Sequence, residues 1–303
     1  MIQNEYHTPV LLKACIKGLN IQPHGIYVDV TFGGGGHSRE IIKSLDNNGK
    51  LIGFDQDPDA LNNRIDDDRF LLIPENFKFL KRFLKFHGIT QVDGILADFG
   101  VSSHQFNTAE RGFSIRYDAR LDMRMDRSQE LSALEIVNTY SEEELIRIFR
   151  TYAELKMAPK VASSILAERE IHPIETTFGL NRILEPLFPK HKTNKFLAQI
   201  YQALRIEVNA ELDALKEFLK QSVEVLKPKG RLCLISYHSL EDRLVKHFIR
   251  SGNFEDDVKK DMFGNVLKPF KNIGKLIVPT DDEITDNNRA RSAKLRIAER
   301  ITS

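Results

Sequence analysis

Four short apolar runs alternate with helical patterns in the first hundred residues, and this alternation is the feature that most constrains the fold. Between the first two runs, Ile41, Ile42 and Leu45 have the spacing of one helix face. Strands that are apolar on both faces and separated by helices form a parallel sheet covered by helices on both sides. The sequence therefore predicts a doubly wound α/β unit. The predicted strands are residues 25–32, 50–55, 69–77 and 92–100.

The alternation stops near residue 100, and helical patterns then follow. Residues 111–130 are too polar for a core strand and predict an ordered loop or a sheet edge. Ser141 and Glu144 have the spacing of a capping box at a helix start. The fifth strand is predicted only at 230–239, so an insertion interrupts the sheet. We predict a discontinuous α/β domain, residues 1–111 and 206–303, with an all-helical insertion at 112–205.

Other local signals refine this prediction. The run 193–226 contains no proline or glycine and is too long for an ordinary helix, so we predict a break at 205–209. Asp57 and Pro58 have the residue types of a helix N-cap and first helical position. Two closing strands are predicted at 275–280 and 292–300.

Residues 33–36 are four successive glycines between the first strand and the first helix. Bare backbone N–H groups at a helix start can approach a ligand closely. The turn lacks the GxxxxGK[ST] pattern of a phosphate loop and fits the dinucleotide pattern GxGxxG poorly. Asp55 follows Gly36 by 19 residues (55 − 36), where a carboxylate accepts hydrogen bonds from ribose hydroxyls. The combination suits S-adenosylmethionine, while close packing of the helix on the strand is the alternative explanation.

Asp98 ends the fourth predicted strand and should lie beside the glycine turn, at the carboxyl edge of the sheet. Enzymes that methylate exocyclic amines commonly place a polar residue here, followed by Pro-Pro and an aromatic residue. Phe99 and Gly100 follow in this chain, so that argument is incomplete. Asp29 is either a support for the turn or an acceptor for the methionine ammonium group, and the sequence leaves both roles open.

The charge balance limits the class of partner. A net charge of +1 excludes a polycation that coats nucleic acid indiscriminately, so any RNA contact must be local. Two basic stretches are candidates, with an ordinary solvated face as the alternative for each. The first contains Lys190, Lys192, Lys195 and Arg205, and the second contains Arg289, Arg291, Lys294, Arg296 and Arg300.

No targeting or membrane signal is evident. Residues 1–19 lack the basic and apolar segments of a secretory signal, and no apolar run approaches the roughly 20 residues of a membrane span. Cys15 and Cys233 are far apart and have no metal-binding spacing, which argues against a disulfide framework and against a zinc site. We therefore expect a cytoplasmic protein without a membrane partner. We assign no metal-binding residues from the sequence, which leaves a metal requirement open.

Eight sequence strings, in order from His7 to Arg300, resemble those of the bacterial small-subunit (16S) rRNA cytosine-N4 methyltransferases, the RsmH or MraW family. The resemblance covers nearly the whole chain and implies a Rossmann-like class I S-adenosylmethionine-dependent methyltransferase fold. The strings are HTPVLL, TFGGGGHSRE, GFDQDPDAL, DGILADFGVSS, ERGFSIRYDARLDMRMD, QALRIEVNAEL, ISYHSLEDR and NNRARSAKLRIAER.

The resemblance implies methyl transfer from S-adenosylmethionine to the N4 amine of a cytidine in the decoding region, with the assembled subunit as the expected substrate. Asp98 is the first choice to orient the amine, and His238 is the alternative, with a buried structural histidine as the competing explanation. His104 stands where the family usually has proline. The implied cofactor contacts are Gly35, Gly36, His37, Asp55, Phe77, Asp98 and Gln105.

The helical insertion is predicted to recognise RNA. Base recognition needs aromatic rings and local positive charge, and Phe113, Phe196 and Tyr201 offer rings, although helix core is the more ordinary role for them. Two other functions stay open: a non-catalytic RNA-binding assembly factor and a nicotinamide-dependent oxidoreductase, which the glycine pattern disfavours. The sequence does not decide whether the protein acts alone or as a homodimer.

Overall fold

The computed structural model describes residues 9–301, so His7 and Thr8 of the first family string lie outside the described residues. The chain forms two compact units: one comprises the chain up to Gly100 and from Leu212 onward, and the other is Val101–Glu211. These boundaries differ from the expected 111/112 and 205/206. The flanking segments belong to the helical unit because Val208 lies in its hydrophobic core and Val101 and Phe106 pack against that core.

The α/β unit contains a seven-stranded sheet with the order β3-β2-β1-β4-β5-β7-β6. Strand β7 is antiparallel to both of its neighbours, and the other pairings are parallel. The predicted Rossmann-like α/β sheet is confirmed. The strands are β1 Ile26–Asp29, β2 Lys50–Phe54, β3 Phe70–Ile73, β4 Val92–Asp98, β5 Leu226–Ser236, β6 Phe270–Asn272 and β7 Lys294–Arg300.

Twelve α-helices accompany the strands in the described residues. In the α/β unit these are α1 Leu12–Leu19, α2 Gly36–Lys43, α3 Leu80–Phe86, α10 Glu211–Val225 (from Leu212), α11 Ser239–Ser251 and α12 Asp281–Asp286. In the helical unit they are α4 Ser103–Asn107, α5 Ala133–Thr139, α6 Glu142–Thr151, α7 Ala158–Arg169, α8 Thr177–Leu184 and α9 Thr193–Asn209.

Most predicted signals act as expected, with two corrections. The capping box of Ser141 and Glu144 begins α6, and Asp57 caps a 3₁₀ helix at Pro58–Asn63. The long helical run breaks at Ala210, whose φ of 48° is left-handed, just beyond the expected window. Residues 275–280 do not form the predicted strand, because Gly274 (φ 73°) interrupts the edge and only Ile277 bridges to Leu295. The short strand β6 takes the rest of that edge.

Each unit has its own hydrophobic core. Both faces of the sheet are packed, with Val28 and Ile95 in one cluster and Leu51 and Leu96 in the other, all fully buried. The helical unit closes around a separate cluster that includes Phe149. No helix among residues 9–301 is long and apolar enough to cross a membrane.

Candidate functional site

The glycine turn joins β1 to α2 at the carboxyl edge of the sheet. Gly35 has φ 74°, a left-handed conformation that favours glycine, and a Cβ there would lie 2.9 Å from the Phe32 ring. A Cβ on Gly36 would lie 2.3 Å from Cγ of Pro9. The bare backbone is therefore required by the packing of the turn itself, in addition to any ligand.

Asp55 fastens the end of β2 to the glycine turn. Its Oδ2 accepts a hydrogen bond from the N–H of Gly33 at 2.7 Å, and its Oδ1 accepts one from the N–H of Asp57 at 2.9 Å. The amide of Asn63 donates to the carbonyl of Gly33 at 3.0 Å. The bend is thus held from two sides and is preorganised before any ligand binds.

Asp29 is hydrogen-bonded to residues on both sides of the glycine turn. It is only 1% exposed, and the hydroxyl of Ser38 donates to its Oδ2 at 2.7 Å. The N–H of Thr31 donates to its Oδ1 at 3.2 Å. The sequence left two roles open for Asp29. These contacts agree with the first of them, support of the glycine turn.

Asp98 lies at the end of β4, next to the same turn. Its N–H donates to Oγ1 of Thr31 at 2.7 Å, and the hydroxyl of Tyr237 donates to its Oδ1 at 2.7 Å. No hydrogen bond to Oδ2 from within residues 9–301 is present in the structure. Sequence reasoning missed Tyr237, although its position at the end of the fifth strand was a signal that it would reach this edge.

Burial raises the pKa of Asp29, Asp55 and Asp98 to about 6 in each case. The charge of Asp29 raises the pKa of Asp55 and Asp98 further, whereas His37 and the Tyr237 hydrogen bond lower that of Asp98. Among the described residues, no lysine or arginine pairs with these three carboxylates. The edge concentrates desolvated negative charge and favours a cationic ligand.

The first described segment packs against the glycine turn. The buried ring of His37 hydrogen-bonds through Nε2 to the carbonyl of Val10 at 3.0 Å, and Pro9 lies against Gly36. The N–H of Leu11 in turn donates to Oε1 of Glu283 at 2.6 Å. The side chain of His37 therefore holds this segment in place. Its backbone N–H, in the first turn of α2, is the group of His37 that can contact a ligand.

Phe77 follows β3 on the same edge and is half-buried. Its ring forms a triangle with Phe99 and Phe218, at centroid separations of 6.0 and 5.6 Å. Asn76 caps the short 3₁₀ helix that contains Phe77, and it donates from its amide to Gln56 at 2.6 Å. The ring is thus fixed in position and keeps part of its surface accessible.

His238 and Gln105 have local structural roles. His238 caps α11 by accepting from the N–H of Glu241 at 3.4 Å, and its Nε2 lies 3.1 Å from Oε1 of Glu241 without hydrogen-bond geometry. Gln105 lies in the helical unit, where it forms a capping box with Ser102 at the start of α4. His104 occupies the first turn of this helix, a position that also accepts the proline usual in the family.

The predicted RNA-binding residues of the helical unit divide into two groups. Phe113 and Tyr201 are buried, and the Tyr201 hydroxyl donates to Asn181 Oδ1 at 2.9 Å, so both belong to the core. Phe196 is half-buried and stacks on Phe188. The other group is exposed on the surface and consists of Lys190, Lys192 and Lys195.

Several cations of the basic stretches have partners within the protein. Arg205 forms a bidentate pair with Glu211 at 2.8 and 3.0 Å, so it is not the unopposed charge that the sequence predicted. In the second stretch, Arg296 and Lys294 pair with Asp242. Arg300 donates to the carbonyl groups of Val223, Pro269 and Ile301.

The sheet order with its antiparallel seventh strand, and the glycine turn followed by an acid at the end of β2, define the class I S-adenosylmethionine-dependent methyltransferase fold. Comparison with family models identifies the family within this class of methyltransferases. The chain belongs to the MraW methylase family, whose model matches residues 4–301. The family recognised in the sequence is confirmed.

Named relatives match along nearly their full length. The ribosomal RNA small subunit methyltransferase H of Christiangramia forsetii is 63% identical over 301 residues, which cover 99% of this chain and 100% of the relative. The protein of the same name from Flavobacterium johnsoniae is 62% identical, covering 98% of each chain. A solved structure described as a putative rRNA-methylase from Clostridium thermocellum is 11% identical, with a TM-score of 0.46 and coverage of 97% and 98%.

Proposed function

We propose that this protein transfers a methyl group from S-adenosylmethionine to the exocyclic N4 amine of a cytidine in the decoding region of 16S rRNA. The relatives named ribosomal RNA small subunit methyltransferase H support the choice of small-subunit rRNA. The choice of the N4 amine depends on the sequence resemblance and on the acceptor chemistry of Asp98. A cytoplasmic location and the assembled subunit as substrate are parts of the same proposal.

The observation that carries the proposal is the cluster of desolvated carboxylates around the glycine turn. Burial raises the pKa of Asp29, Asp55 and Asp98 to about 6, so the hydrogen bonds within the described protein offset only part of the desolvation of their charges. S-adenosylmethionine carries a sulfonium and an ammonium group, whereas a nicotinamide dinucleotide brings an anionic pyrophosphate. The residues present therefore fit the former and oppose the latter.

The cofactor contacts are assigned by this fit. Each oxygen of Asp55 accepts one backbone N–H and has a second lone pair available for a ribose hydroxyl. Phe77 offers a fixed ring beside the adenine, and Gly35, Gly36 and His37 offer the backbone of the bend. Gln105 remains a predicted contact from the helical unit.

Asp98 then acts on the amine. A bound sulfonium donor supplies an already activated methyl group, so the protein mainly needs to align the reactants and exclude water. Cytosine N4 carries two hydrogens, and Oδ2 of Asp98 can accept one of them. This hydrogen bond orients the nitrogen lone pair, and a carboxylate at this position can take the proton that the amine loses. Tyr237 holds the carboxylate through Oδ1.

Methyl mapping of 16S rRNA and kinetics of an Asp98 variant test the proposal together. Mass analysis of nucleosides should find the N4 methyl group only in cells that contain the protein. We expect Asp98→Ala to lower methyl transfer about 100-fold or more, a typical effect of removing a catalytic acid–base group. Tyr237→Phe should retain the Asp98 carboxylate and lose less activity.

Calorimetry on the same variants separates binding from chemistry. An Asp98→Ala protein that binds the cofactor and methylates at the wild-type rate would show that Asp98 has no orienting role. A wild-type protein that binds small subunits but leaves every nucleoside unmethylated would support the non-catalytic assembly factor instead. Stabilisation by NADH alone would support the oxidoreductase.

A further inference from the structure

The helix α3 and the turn before it form a basic segment that neither basic stretch of the sequence analysis includes. Residues 76–92 contain Lys78, Lys81, Arg82 and Lys85 and no aspartate or glutamate. This concentration of charge is local, because the chain as a whole has a net charge of only +1. A basic segment of this kind favours an anionic partner.

Two aromatic rings accompany these cations at the surface. Phe86 is 80% exposed and Phe79 is 36% exposed, whereas Leu80 and Leu84 on the other face of α3 are fully buried. The core is therefore complete without the ring of Phe86. Two exposed rings seven residues apart (86 − 79), rimmed by cations, form an apolar patch of the kind that marks an interaction surface.

Of the four cations in this segment, one forms an ion pair within the protein and three do not. Lys81 pairs with Glu224, and the side chain of Gln221 accepts from the N–H of Lys81 at 2.8 Å. The side chain of Gln221 also donates to the carbonyl of Lys78 at 2.6 Å, so α10 holds the segment in place. Within residues 9–301, no acidic partner of Lys78, Arg82 or Lys85 is present.

We use the term α3 surface for Lys78, Phe79, Arg82, Lys85 and Phe86. The ammonium group of Lys78 lies 5.0 Å from the centroid of the Phe79 ring. A shallow pocket of about 470 Å³ is lined by Arg82, Phe83, Lys85 and Phe86. A ring beside a pocket, with cations around it, is the arrangement that takes up an unstacked base and its phosphates.

The α3 surface starts at the edge that carries the candidate cofactor site. The 3₁₀ turn at Phe77–Phe79 leads directly into α3, and Phe77 is a predicted adenine contact. Phe86 follows Leu80 by six residues (86 − 80), or about 9 Å along the helix axis at 1.5 Å per residue. RNA that lies along this surface would lead away from the cofactor edge.

We infer that the α3 surface binds a single-stranded segment of the RNA substrate, with one base stacked on Phe86 and phosphates at Arg82 and Lys85. The inference rests on the proposed function, because it assumes that RNA is the substrate. A second copy of the chain is a poorer occupant. A two-fold interface would bring the same uncompensated cations of both copies together.

Two variants separate the stacking from the charge. Binding to small subunits from cells that lack the protein is measured across a potassium chloride series. We expect Phe86→Ala to weaken binding about 5-fold or more without changing the salt slope. The double variant Arg82→Gln, Lys85→Gln should flatten the slope by about 1.4, since each phosphate contact on single strands contributes about 0.7.

The controls are matched in exposure and lie in the same unit. Phe263→Ala removes a ring that is 82% exposed, and Lys13→Gln with Lys17→Gln neutralises two exposed cations of α1. Both controls should bind subunits like the wild type. Because Phe86 is exposed and Arg82 and Lys85 have no acidic partner in the described chain, the test variants should keep wild-type cofactor affinity and melting temperature.

Three results would overturn the inference. The first is wild-type subunit binding and methylation by both test variants, which leaves the proposed function standing. The second is an equal loss of binding in test and control variants. The third is a Phe86→Ala protein that changes only its self-association in sedimentation. A wild-type protein that binds subunits through Phe86 but never methylates them would instead contradict the proposed function alone.

Discussion

The glycine-turn edge of the α/β unit and a group of exposed lysines on the helical unit carry opposite charges in opposite environments. At the edge, burial raises the pKa of Asp29, Asp55 and Asp98 to about 6. The helical unit buries Arg111 and pairs Arg205 with Glu211, but it keeps other cations exposed. Those cations include Lys190, Lys192 and Lys195.

The difference teaches how each region would recognise its ligand. Desolvated carboxylates in a fixed frame act at short range, and their strength depends on their own protonation. Exposed lysines act on phosphates through a screened field, and their strength depends on ionic strength. Binding at the edge should therefore respond to pH and hardly to salt, and binding by the helical unit should respond to salt.

The largest effect should come from disturbing the frame of the edge. Gly35→Ala places a Cβ 2.9 Å from the Phe32 ring at φ 74°, so the bend must move. Overpacking of this kind costs about 2 kcal/mol, which corresponds to about 30-fold in cofactor affinity. Gly88→Ala is the matched control, because Gly88 has φ 72° and no atom within 4 Å of its added Cβ. If Gly35→Ala and Gly88→Ala lose the same cofactor affinity in calorimetry, the loss comes from backbone strain and not from the contact with Phe32.

The effect of pH is next in size. Protonation below about pH 6 removes the negative charge of Asp29, Asp55 and Asp98, so affinity for S-adenosylmethionine should fall about tenfold between pH 7 and pH 5. The stability of the free protein should change in the opposite direction and increase as the pH falls from 7 to 5. A folded-state pKa above the unfolded value means that stability is lost as pH rises through 6.

Calorimetry and thermal unfolding over this pH range check both signs. Asp98→Asn removes one of the titrating groups and should reduce both trends. Affinity that is constant from pH 7 to pH 5 would contradict the idea that these carboxylates attract a cationic ligand. S-adenosylhomocysteine, which lacks the sulfonium charge, should respond less steeply than S-adenosylmethionine.

The smallest effect should come from the helical unit. Changing Lys190, Lys192 and Lys195 to glutamine should weaken subunit binding about 5-fold and lower the salt slope by about 2. Lys156→Gln with Lys160→Gln is the control, since these cations are also exposed in the same unit. If each lysine change lowers the salt slope of subunit binding by the same amount in both variants, the helical unit has no preferred RNA-binding face.

Local patterns predicted most of the parallel sheet. The apolar runs of β1 to β5 and the capping box of Ser141 are signals that neighbouring residues carry, so the chain states them without tertiary information. The break of the long helical run needed only a left-handed residue, found at Ala210. The glycine turn and Asp55 were predicted in the same way and lie together, joined by the bond from Gly33.

The features that sequence reasoning missed depend on contacts between distant residues. Strand β6 has three residues and exists because Phe270–Asn272 meet the free edge of β7. The pair of Tyr237 with Asp98 joins residues 139 positions apart and forms when the folded sheet brings the two strand ends together. The pair of Arg205 with Glu211 spans only six positions but crosses the break at Ala210. Helical spacing does not pair residues six positions apart, so the charge of Arg205 looked available when it was not.

The hydrogen bond from Leu11 to Glu283 spans 272 residues and has a consequence for synthesis. A growing chain presents Pro9, Val10 and the glycines early, but the carboxylate that fixes this segment is translated near the end. The segment from Pro9 to Leu11 therefore gains this contact only when translation is almost complete. Incomplete chains, or chains shortened before Glu283, should therefore hold this segment less firmly against His37 and Gly36.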